Sequence, residues 1–528
     1  MNAKHYSLLQ LSNPDKLVRE YLLKNEALAP LISAFPEIEN FERSIAERSF
    51  DNKRRSILTN VLLEQYEGLN TSTQVKESIQ ALESENTYTV TTGHQLCLFT
   101  GPLYFVYKII STIRLAEELS NRYPEKKIVP VYWMATEDHD FAEINHAYFF
   151  GKKLEWQTDQ KGAVGNMNTQ GINEVIDELE KLLGNAPDII EMLRTAYSHD
   201  TLASATRFLV NELFGRYGLV VIDGNHRQLK SQFKEVIHNE LFQQNGYRSI
   251  TSTNEYLKSL DFKAQVNPRE INLFYLEGNL RARIEQKDEN NWSVVDTDKS
   301  FTASELEKLI EEQPEVFSPN VVLRPLYQET LLPNLAYVGG PGELAYWLQL
   351  KGFFTQEKIA FPVLVLRDSA LLLNTKSLQK LEKLGLTASD LFNDSQATIK
   401  RLVNSTDASL EEEKNQLRLL FESLAAKLKA IDSTLEGAAL AEAQKQITAI
   451  EHLEKKALKA LKTKEENKIN QFQKLLGECF PDGTPQERHD NIFQHISTLG
   501  DTLIDELSKA FNPLEQRYHI LEQEAVLH

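Results

Sequence analysis

The chain has 528 residues, of which 41% are hydrophobic, and its formal net charge at pH 7 is −18. This length is too great for one compact core, so we expect two or more structural units. The acidic balance argues against a nucleic-acid-binding protein, which would need a basic face. No apolar run approaches the ~20 residues of a membrane span, and the first residues lack the apolar core of a signal peptide. With only two cysteines, Cys97 and Cys479, the composition predicts a cytoplasmic protein without disulfides or a membrane partner.

The first 150 residues predict a helical segment followed by a strand–helix–strand unit. Residues 1–86 space their apolar side chains as helices do and form a lead-in to the core. A strand at 88–92, a helix at 101–119 and a strand at 128–134 follow. This alternation is typical of a parallel βαβ unit, so 87–150 is predicted as the first half of an α/β core.

The middle of the chain predicts insertions and then a return to the core. Residues 151–315 contain one clear strand at 218–224, within segments that we interpret as insertions. Residues 316–400 are predicted as the second half of the core. Strands are expected there at 321–325, from residue 335 up to a glycine turn at 339–343, and at 361–368.

Residues 401–480 carry a different pattern. Apolar residues step by threes and fours, as in a heptad seam, and Gly437 is predicted to break the helix. Two long seams around a short break favour an antiparallel helical hairpin. Residues 481–528 are predicted as a helical tail that returns to the core. An apolar seam left exposed on the hairpin would favour a homodimer, although the two helices could also bury it against each other.

Two predicted strands end abruptly in polar residues. Gly93, His94 and Gln95 close the first strand, and residues 137–140 close the second. Ligands of open α/β sheets bind beyond the carboxyl ends of the strands, so the two ends predict one site. The helix that begins near Thr100 and Gly101 could hold a phosphate or carboxylate at its start. A capped helix without a ligand is the alternative.

The second strand end is dense in ionisable groups. The run Glu137-Asp138-His139-Asp140, with His146 nearby, could bind a metal, act as a general base or bind an amine. An ordinary acidic loop is the alternative, and the absence of zinc-binding motifs argues against the metal.

Two further features stay ambiguous on the sequence alone. The turn at 339–343 could bind an anion or simply connect a strand to a helix. Arg324 could face an anionic ligand or an acid of the core. Cys97, between two leucines, is expected to be a packed residue rather than a nucleophile.

Four motifs together resemble one family. They are Thr92–Tyr104, Glu137–His146, Tyr337–Glu343, and Gln486-Glu487-Arg488 followed by Asn491. These motifs resemble the cysteine-adding enzymes of bacillithiol biosynthesis, the BshC family, over most of the chain. The family often has Gln where this chain has His94. The resemblance implies an α/β fold: a Rossmann-like, nucleotidylyltransferase-type core with connective insertions and a long antiparallel coiled-coil hairpin.

The resemblance also implies an activity: joining cysteine to glucosaminyl-malate to form bacillithiol, with ATP and Mg²⁺ expected and no tightly bound metal. Asp138 and His139 are the candidates for catalysis, as a base near the attacking amine. Nucleotide binding is assigned to Gln486, Arg488 and Asn491. The substrate-binding candidates are Gly93, His94, Gln95, Thr100, Gly101, Tyr104, Glu137, Asp140, Asn145, His146, Arg324, Tyr337, Gly339, Gly340 and Glu343.

Three other functions remain open from the sequence. The chain could be an adenylating or nucleotidyl-transferring enzyme with another acceptor. It could be a non-catalytic coiled-coil assembly protein built on a degenerate nucleotide fold. A metal hydrolase that uses the region of His139 is the third alternative.

Overall fold

The computed structural model describes residues 1–403 and 409–524. Over these residues the chain forms two compact units. One comprises Met1–Leu372 and Gln486–Leu521, and the other comprises Leu373–Pro485 and the described part of Glu522–His528. The predicted hairpin segment 401–480 and tail 481–528 include residues 404–408 and 525–528, which lie outside the described residues.

The helices and strands follow in chain order. The strands are β1 (Asn2–Ser7), β2 (Thr87–His94), β3 (Lys127–Met134), β4 (His146–Phe149), β5 (Lys152–Glu155), β6 (Val220–Asp223), β7 (Leu273–Glu277), β8 (Leu280–Asp288), β9 (Asn291–Val294), β10 (Ser300–Thr302), β11 (Phe317–Pro319), β12 (Asn334–Gly339), β13 (Val363–Leu366), β14 (Ser369–Leu373) and β15 (Arg517–Glu522). The helices are α1 (Leu8–Leu11), α2 (Lys16–Leu22), α3 (Asn40–Glu47), α4 (Asn52–Gln65), α5 (Thr73–Ala81), α6 (Leu103–Arg122), α7 (Phe141–Ile144), α8 (Ile172–Leu183), α9 (Pro187–Ala196), α10 (Leu202–Phe214), α11 (Arg227–Lys230), α12 (Lys234–Gln243), α13 (Asn245–Ser259), α14 (Ala303–Glu312), α15 (Arg324–Leu331), α16 (Pro341–Leu348), α17 (Lys351–Gln356), α18 (Thr375–Leu384), α19 (Ser395–Leu402), α20 (Glu411–Lys429), α21 (Leu435–Lys464), α22 (Glu466–Cys479), α23 (Ile492–Leu499) and α24 (Leu503–Ala510).

A five-stranded parallel sheet forms the centre of the first unit. Its order is β13-β12-β2-β3-β6, and every neighbouring pair is parallel. The sheet grows outward from β2 in one direction and from β12 in the other, so the strand order reverses between them. Val90, Val338 and Val365 pack with Leu115 and Leu119 of α6 in one buried cluster. This arrangement confirms the predicted Rossmann-like α/β core.

A second sheet takes four of its strands from the predicted insertion, while β11 comes from the segment that was predicted as the second half of the core. It is antiparallel over the register pairs described, with the order β10-β9-β8-β7-β11. Strands β7 and β8 are joined by the two residues Gly278 and Asn279, and Gly278 has a φ of +56°. A two-residue hairpin of this kind favours glycine because its backbone turns through the left-handed region.

The prediction of a strand at 321–325 is wrong, because this segment forms a turn and the start of a helix. The side chain of Asn320 accepts hydrogen bonds from the amides of Val322 (3.0 Å) and Leu323 (3.2 Å), which turns the backbone. Helix α15 then begins at Arg324, with Pro325 in its first turn. The asparagine side chain turns the chain, and a proline in the first turn favours the start of a helix. Together these two signals outweigh the strand preference of Val321 and Val322.

The second unit contains the helical hairpin. Helices α20 and α21 run antiparallel, since Glu454 on α21 accepts from the amide of Leu410 (2.8 Å) and the ammonium of Lys414 (3.0 Å) near the start of α20. The predicted break at Gly437 is wrong, because Gly437 lies inside α21. The turn instead comes just before α21, where the carboxylate of Asp432 accepts from the amide and hydroxyl of Thr434. Within the described residues no helix is apolar over a length that would cross a membrane.

Candidate functional site

A cavity of about 640 Å³ lies at the carboxyl edge of the central sheet. Gly93 and His94 at the end of β2 and Tyr337 near the end of β12 contribute to its wall. The cavity therefore lies where the strand order reverses, which is where open α/β sheets bind their ligands. The antiparallel sheet also contributes to the lining of the cavity, through β7 and β8.

Ten of the predicted site residues line this cavity: Gly93, His94, Gln95, Tyr104, Glu137, Asp138, His139, Arg324, Tyr337 and Glu343. The cavity lining does not include the other predicted residues, which are Thr100, Gly101, Asp140, Asn145, His146, Gly339, Gly340, Gln486, Arg488 and Asn491. The structure thus brings the two predicted strand ends together. The binding roles of all these residues remain predictions.

The backbone at the start of α6 is occupied by the protein itself. The amides of Thr100 and Gly101 donate to the carbonyls of Cys97 (3.2 Å) and Leu98 (2.9 Å), and the amide of Leu103 donates to the carbonyl of Asp490 (2.8 Å). These contacts use the donors that we expected to hold a phosphate or carboxylate.

The predicted nucleotide-binding residues divide into two groups. Asn491 is fully buried and donates to the carbonyls of Phe99 and Gly101, and Gln486 exchanges two hydrogen bonds with the backbone of Leu372. Both side chains therefore brace the fold through backbone contacts. Arg488 is exposed.

An ion pair between a buried lysine and a partly exposed glutamate joins α6 to α16 at the cavity. The ammonium of Lys108 contacts the carboxylate of Glu343 at 2.7 Å and also donates to the carbonyl of Gly93. The same carboxylate accepts from the hydroxyl of Tyr337 (2.6 Å) and from the amide of Gly340 (2.9 Å). Burial alone would raise the pKa of Glu343, but Lys108 and these donors hold it below its usual range. Glu343 is therefore ionised and links the two helices through its contact with Lys108.

Arg324 is held against β2 and β12. Its guanidinium donates to the side chain of Gln328 (3.0 Å) and to the hydroxyl of Tyr346 (3.2 Å), and it lies over the ring of Tyr337. A Cβ atom on Gly93 would come within 3.2 Å of this guanidinium. We expected the glycine to admit a ligand, but the group that approaches it is Arg324.

An acidic wall follows the end of β3. The side-chain amide of Gln95 donates to the carboxylates of Asp138 (2.7 Å) and Glu143 (2.7 Å). These two hydrogen bonds hold both carboxylates at one side of the cavity. The third carboxylate, Glu137, is paired with the ammonium of Lys230, a side chain with no exposed surface. This wall suits a ligand that carries an amine or ammonium group.

Four arginines form a second lining of the cavity, the basic wall, and sequence reasoning missed most of it. Arg269, Arg281 and Arg283 line the cavity with Arg324. Arg281 and Arg283 are two residues apart on β8, and residues at this spacing on a strand share a face. That spacing was the available signal, but it does not show which face of the insertion meets the core. Four guanidinium groups around one cavity suit a phosphate or carboxylate ligand.

Burial keeps the side chains of His94 and Cys97 uncharged. Burial, together with the nearby charge of Lys108, lowers the pKa of His94 to about 3, and its ring stacks on Tyr104. Burial raises the pKa of the Cys97 thiol to about 12. His94 is therefore neutral near pH 7 and Cys97 is a packed thiol. Among the described residues no group of three or more His, Cys, Asp or Glu side chains could hold a metal ion.

Comparison with known proteins identifies the family. Residues 1–368 match the N-terminal Rossmann-like domain of the bacillithiol biosynthesis protein BshC, and residues 370–523 match its C-terminal coiled-coil domain. The chain belongs to the BshC family. This assignment confirms both the family resemblance and the predicted combination of a Rossmann-like core with a coiled coil.

Relatives of the BshC family match the chain over nearly its whole length. Proteins from Flavobacterium psychrophilum and Flavobacterium johnsoniae are 44% and 43% identical, and each alignment covers 96% of this chain and 97% of the relative. A protein from Chlorobaculum tepidum is 30% identical, with 96% of both chains covered. All three carry the name "Putative cysteine ligase BshC".

Proposed function

We propose that this protein joins the carboxylate of L-cysteine to the amine of glucosaminyl-malate, which forms the amide bond of bacillithiol. Membership of the BshC family supports the reaction. The observation that carries the proposal is that one cavity, at the point where the strand order reverses, has both a basic wall and an acidic wall. Glucosaminyl-malate carries an amine and two carboxylates, and cysteine carries an ammonium and a carboxylate. Each substrate therefore has groups that suit the acidic wall and groups that suit the basic wall.

The basic wall is proposed to bind the anionic groups. Arg269, Arg283 and Arg324 would pair with the malate carboxylates or with the phosphates of a nucleotide, because a guanidinium binds both through two parallel hydrogen bonds. A carboxylate is a poor electrophile, so ATP is the expected activator, as an acyl-phosphate or an acyl-adenylate. Mg²⁺ would arrive bound to the nucleotide.

The acidic wall is proposed to receive the amine. Asp138 faces the cavity, and its two oxygens accept from Gln95 and from the backbone amide of His139 (2.7 Å each). These donors fix the carboxylate, and its remaining lone pairs can accept the proton that the amine loses as it attacks. Asp138 is therefore our candidate for the base.

The purified protein should make bacillithiol from ATP, Mg²⁺, cysteine and glucosaminyl-malate, as measured by mass spectrometry. Asp138→Asn should lower kcat by about 10²-fold or more, since an amide cannot take the proton. AMP among the products would indicate an acyl-adenylate intermediate, and ADP would indicate an acyl-phosphate. Product that forms with another acceptor but not with glucosaminyl-malate would contradict the proposal. Full activity of a correctly folded Asp138→Asn variant would exclude Asp138 as the base.

We also infer that the protein forms a homodimer through the hairpin. Leu420 and Leu424 on α20 are 56% and 39% exposed, and Leu417, Phe421 and Leu428 on the same helix are only half buried. Their spacing places all five on one side of the helix. A second copy of the hairpin would cover this face.

A further inference from the structure

Arg281 reaches from β8 to the end of the acidic wall and is fixed there by three hydrogen bonds. Its guanidinium donates to the hydroxyl of Ser318 (3.0 Å), the carbonyl of Pro319 (3.1 Å) and the Nδ1 atom of His139 (2.6 Å). Its planar group also lies 4.1 Å from the centre of the Phe274 ring. The ring of His139 packs on the same phenylalanine, with 5.4 Å between centroids.

The contact between Arg281 and His139 decides where the imidazole carries its proton. A guanidinium has only donors, so Nδ1 of His139 must accept and cannot carry a hydrogen. The alternative partner for a protonated Nδ1 is Asp138, but its nearer oxygen is 3.8 Å away, beyond hydrogen-bond distance. The proton of the neutral ring therefore lies on Nε2.

We propose that His139 acts as a neutral hydrogen-bond donor through Nε2–H, and that Arg281 is the positioning residue that fixes this tautomer. The proposal rests on the amide-forming reaction proposed above and replaces a base role for His139. The chemical group recognised is the carbonyl oxygen of the activated cysteine, on which negative charge develops as the amine adds.

The surrounding charges support a neutral ring. Burial and the charge of Arg281 lower the pKa of His139, while Asp138 and Asp140 oppose them. A His139 base would need a free lone pair, but its one lone pair already accepts from Arg281. The site therefore separates two roles: Asp138 can take a proton and His139 can donate a hydrogen bond.

The reaction balances with the His139 proton unmoved. The amine nitrogen forms a bond to the activated carbonyl carbon, and the electron pair of the carbonyl moves onto its oxygen, which accepts from Nε2–H. Asp138 takes the proton that the nitrogen loses. The carbonyl then re-forms and the C–O bond to the phosphate-bearing leaving group breaks. Hydrogen-bond donors aimed at such an oxygen stabilise the transition state more than the ground state.

The tautomer can be measured without substrate, by NMR of the full protein labelled with ¹⁵N-histidine. The His139 signals are assigned by their loss in His139→Gln. We expect Nδ1 to resonate as an unprotonated nitrogen and Nε2 as a protonated nitrogen at pH 7. In Arg281→Met this preference should weaken and the pKa of His139 should rise. A protonated Nδ1 in the wild type, or an unchanged ring in a folded Arg281→Met variant, would overturn the proposal.

The donor role is tested by two substitutions of His139. Alanine should lower kcat by about 10²-fold, as loss of one oxyanion donor does. Glutamine should recover most of this loss, because its amide can donate but cannot act as a base. His452→Gln, at an exposed position on the hairpin, is the matched control and should retain wild-type kcat. Equal losses in the alanine and glutamine variants would refute the donor role. If no variant and no wild type makes product, the amide-forming function fails, while the NMR result still tests the tautomer.

Discussion

Gly93 is small because a guanidinium lies against it. A Cβ atom at this position would be 3.2 Å from Nη1 of Arg324 and 3.5 Å from the hydroxyl of Tyr337. The distance to Arg324 is shorter than an ordinary van der Waals contact. Gly93→Ala should therefore push Arg324 out of position. We expect KM for glucosaminyl-malate to rise by about tenfold, since small misplacements of a binding group are costly.

Steady-state kinetics of Gly93→Ala would measure this change, with Gly437→Ala as the control. A Cβ on Gly437 meets nothing within 4 Å, and the residue lies inside α21. Gly437→Ala should leave KM unchanged and raise the free energy of unfolding by up to about 1 kcal/mol. An unaltered KM in Gly93→Ala would show that the position of Arg324 does not govern substrate binding.

Single residues differ in how far the sequence can place them. His94 and Asp138 each follow an apolar run, so the parallel sheet brought them together as expected. Arg281 lies more than 140 positions from His139, and nothing local to either residue indicates that β8 faces this edge. Such contacts depend on how an insertion packs, which the periodicity of one strand does not specify.

Helices α6 and α16 are tied together by an ion pair. The side chain of Lys108 is 3% exposed, whereas that of its partner Glu343 is 26% exposed at the cavity, so the ammonium is the buried member of the pair. Glu343→Gln keeps the shape but leaves a buried ammonium without a counter-charge. We expect it to lower the free energy of unfolding by about 3 kcal/mol, measured by denaturant titration.

The double variant Lys108→Met and Glu343→Gln separates charge from packing. Removing both charges ends the desolvation penalty, so most of the lost stability should return. A double variant as unstable as Glu343→Gln would instead mean that the hydrogen bonds of Glu343 to Tyr337 and Gly340, rather than its charge, join the two helices.

Whole elements were easiest to predict where one signal dominates. Strand β3 and helix α6 have long apolar patterns, and both were placed within a few residues of their observed bounds. The strand at 321–325 failed because a side-chain cap from Asn320 competes with β propensity. The break predicted at Gly437 was misplaced by a few residues, because Gly437 already lies in the first turn of α21 and the chain turns before it, where Asp432 accepts from Thr434. Strands β1 and β15 were missed in segments predicted as helical. They pair in a three-stranded sheet of order β1-β15-β14, and β1 is a short edge strand of polar residues without clear alternation.

The molecule carries a net charge of −18, which opposes association of two copies unless a local apolar surface outweighs it. The exposed leucines of α20 provide such a surface. Each buried leucine contributes roughly 1.5–3 kcal/mol, so Leu420→Glu with Leu424→Glu, which removes four leucines from a symmetric dimer, should weaken association by several orders of magnitude.

Light scattering coupled to gel filtration should show a dimer for the wild type and a monomer for this double variant. Leu63→Glu is the matched control, because Leu63 is 51% exposed in the first unit, and it should leave the dimer intact. A wild-type monomer at micromolar concentration would mean that the apolar face of the hairpin does not bind a second copy.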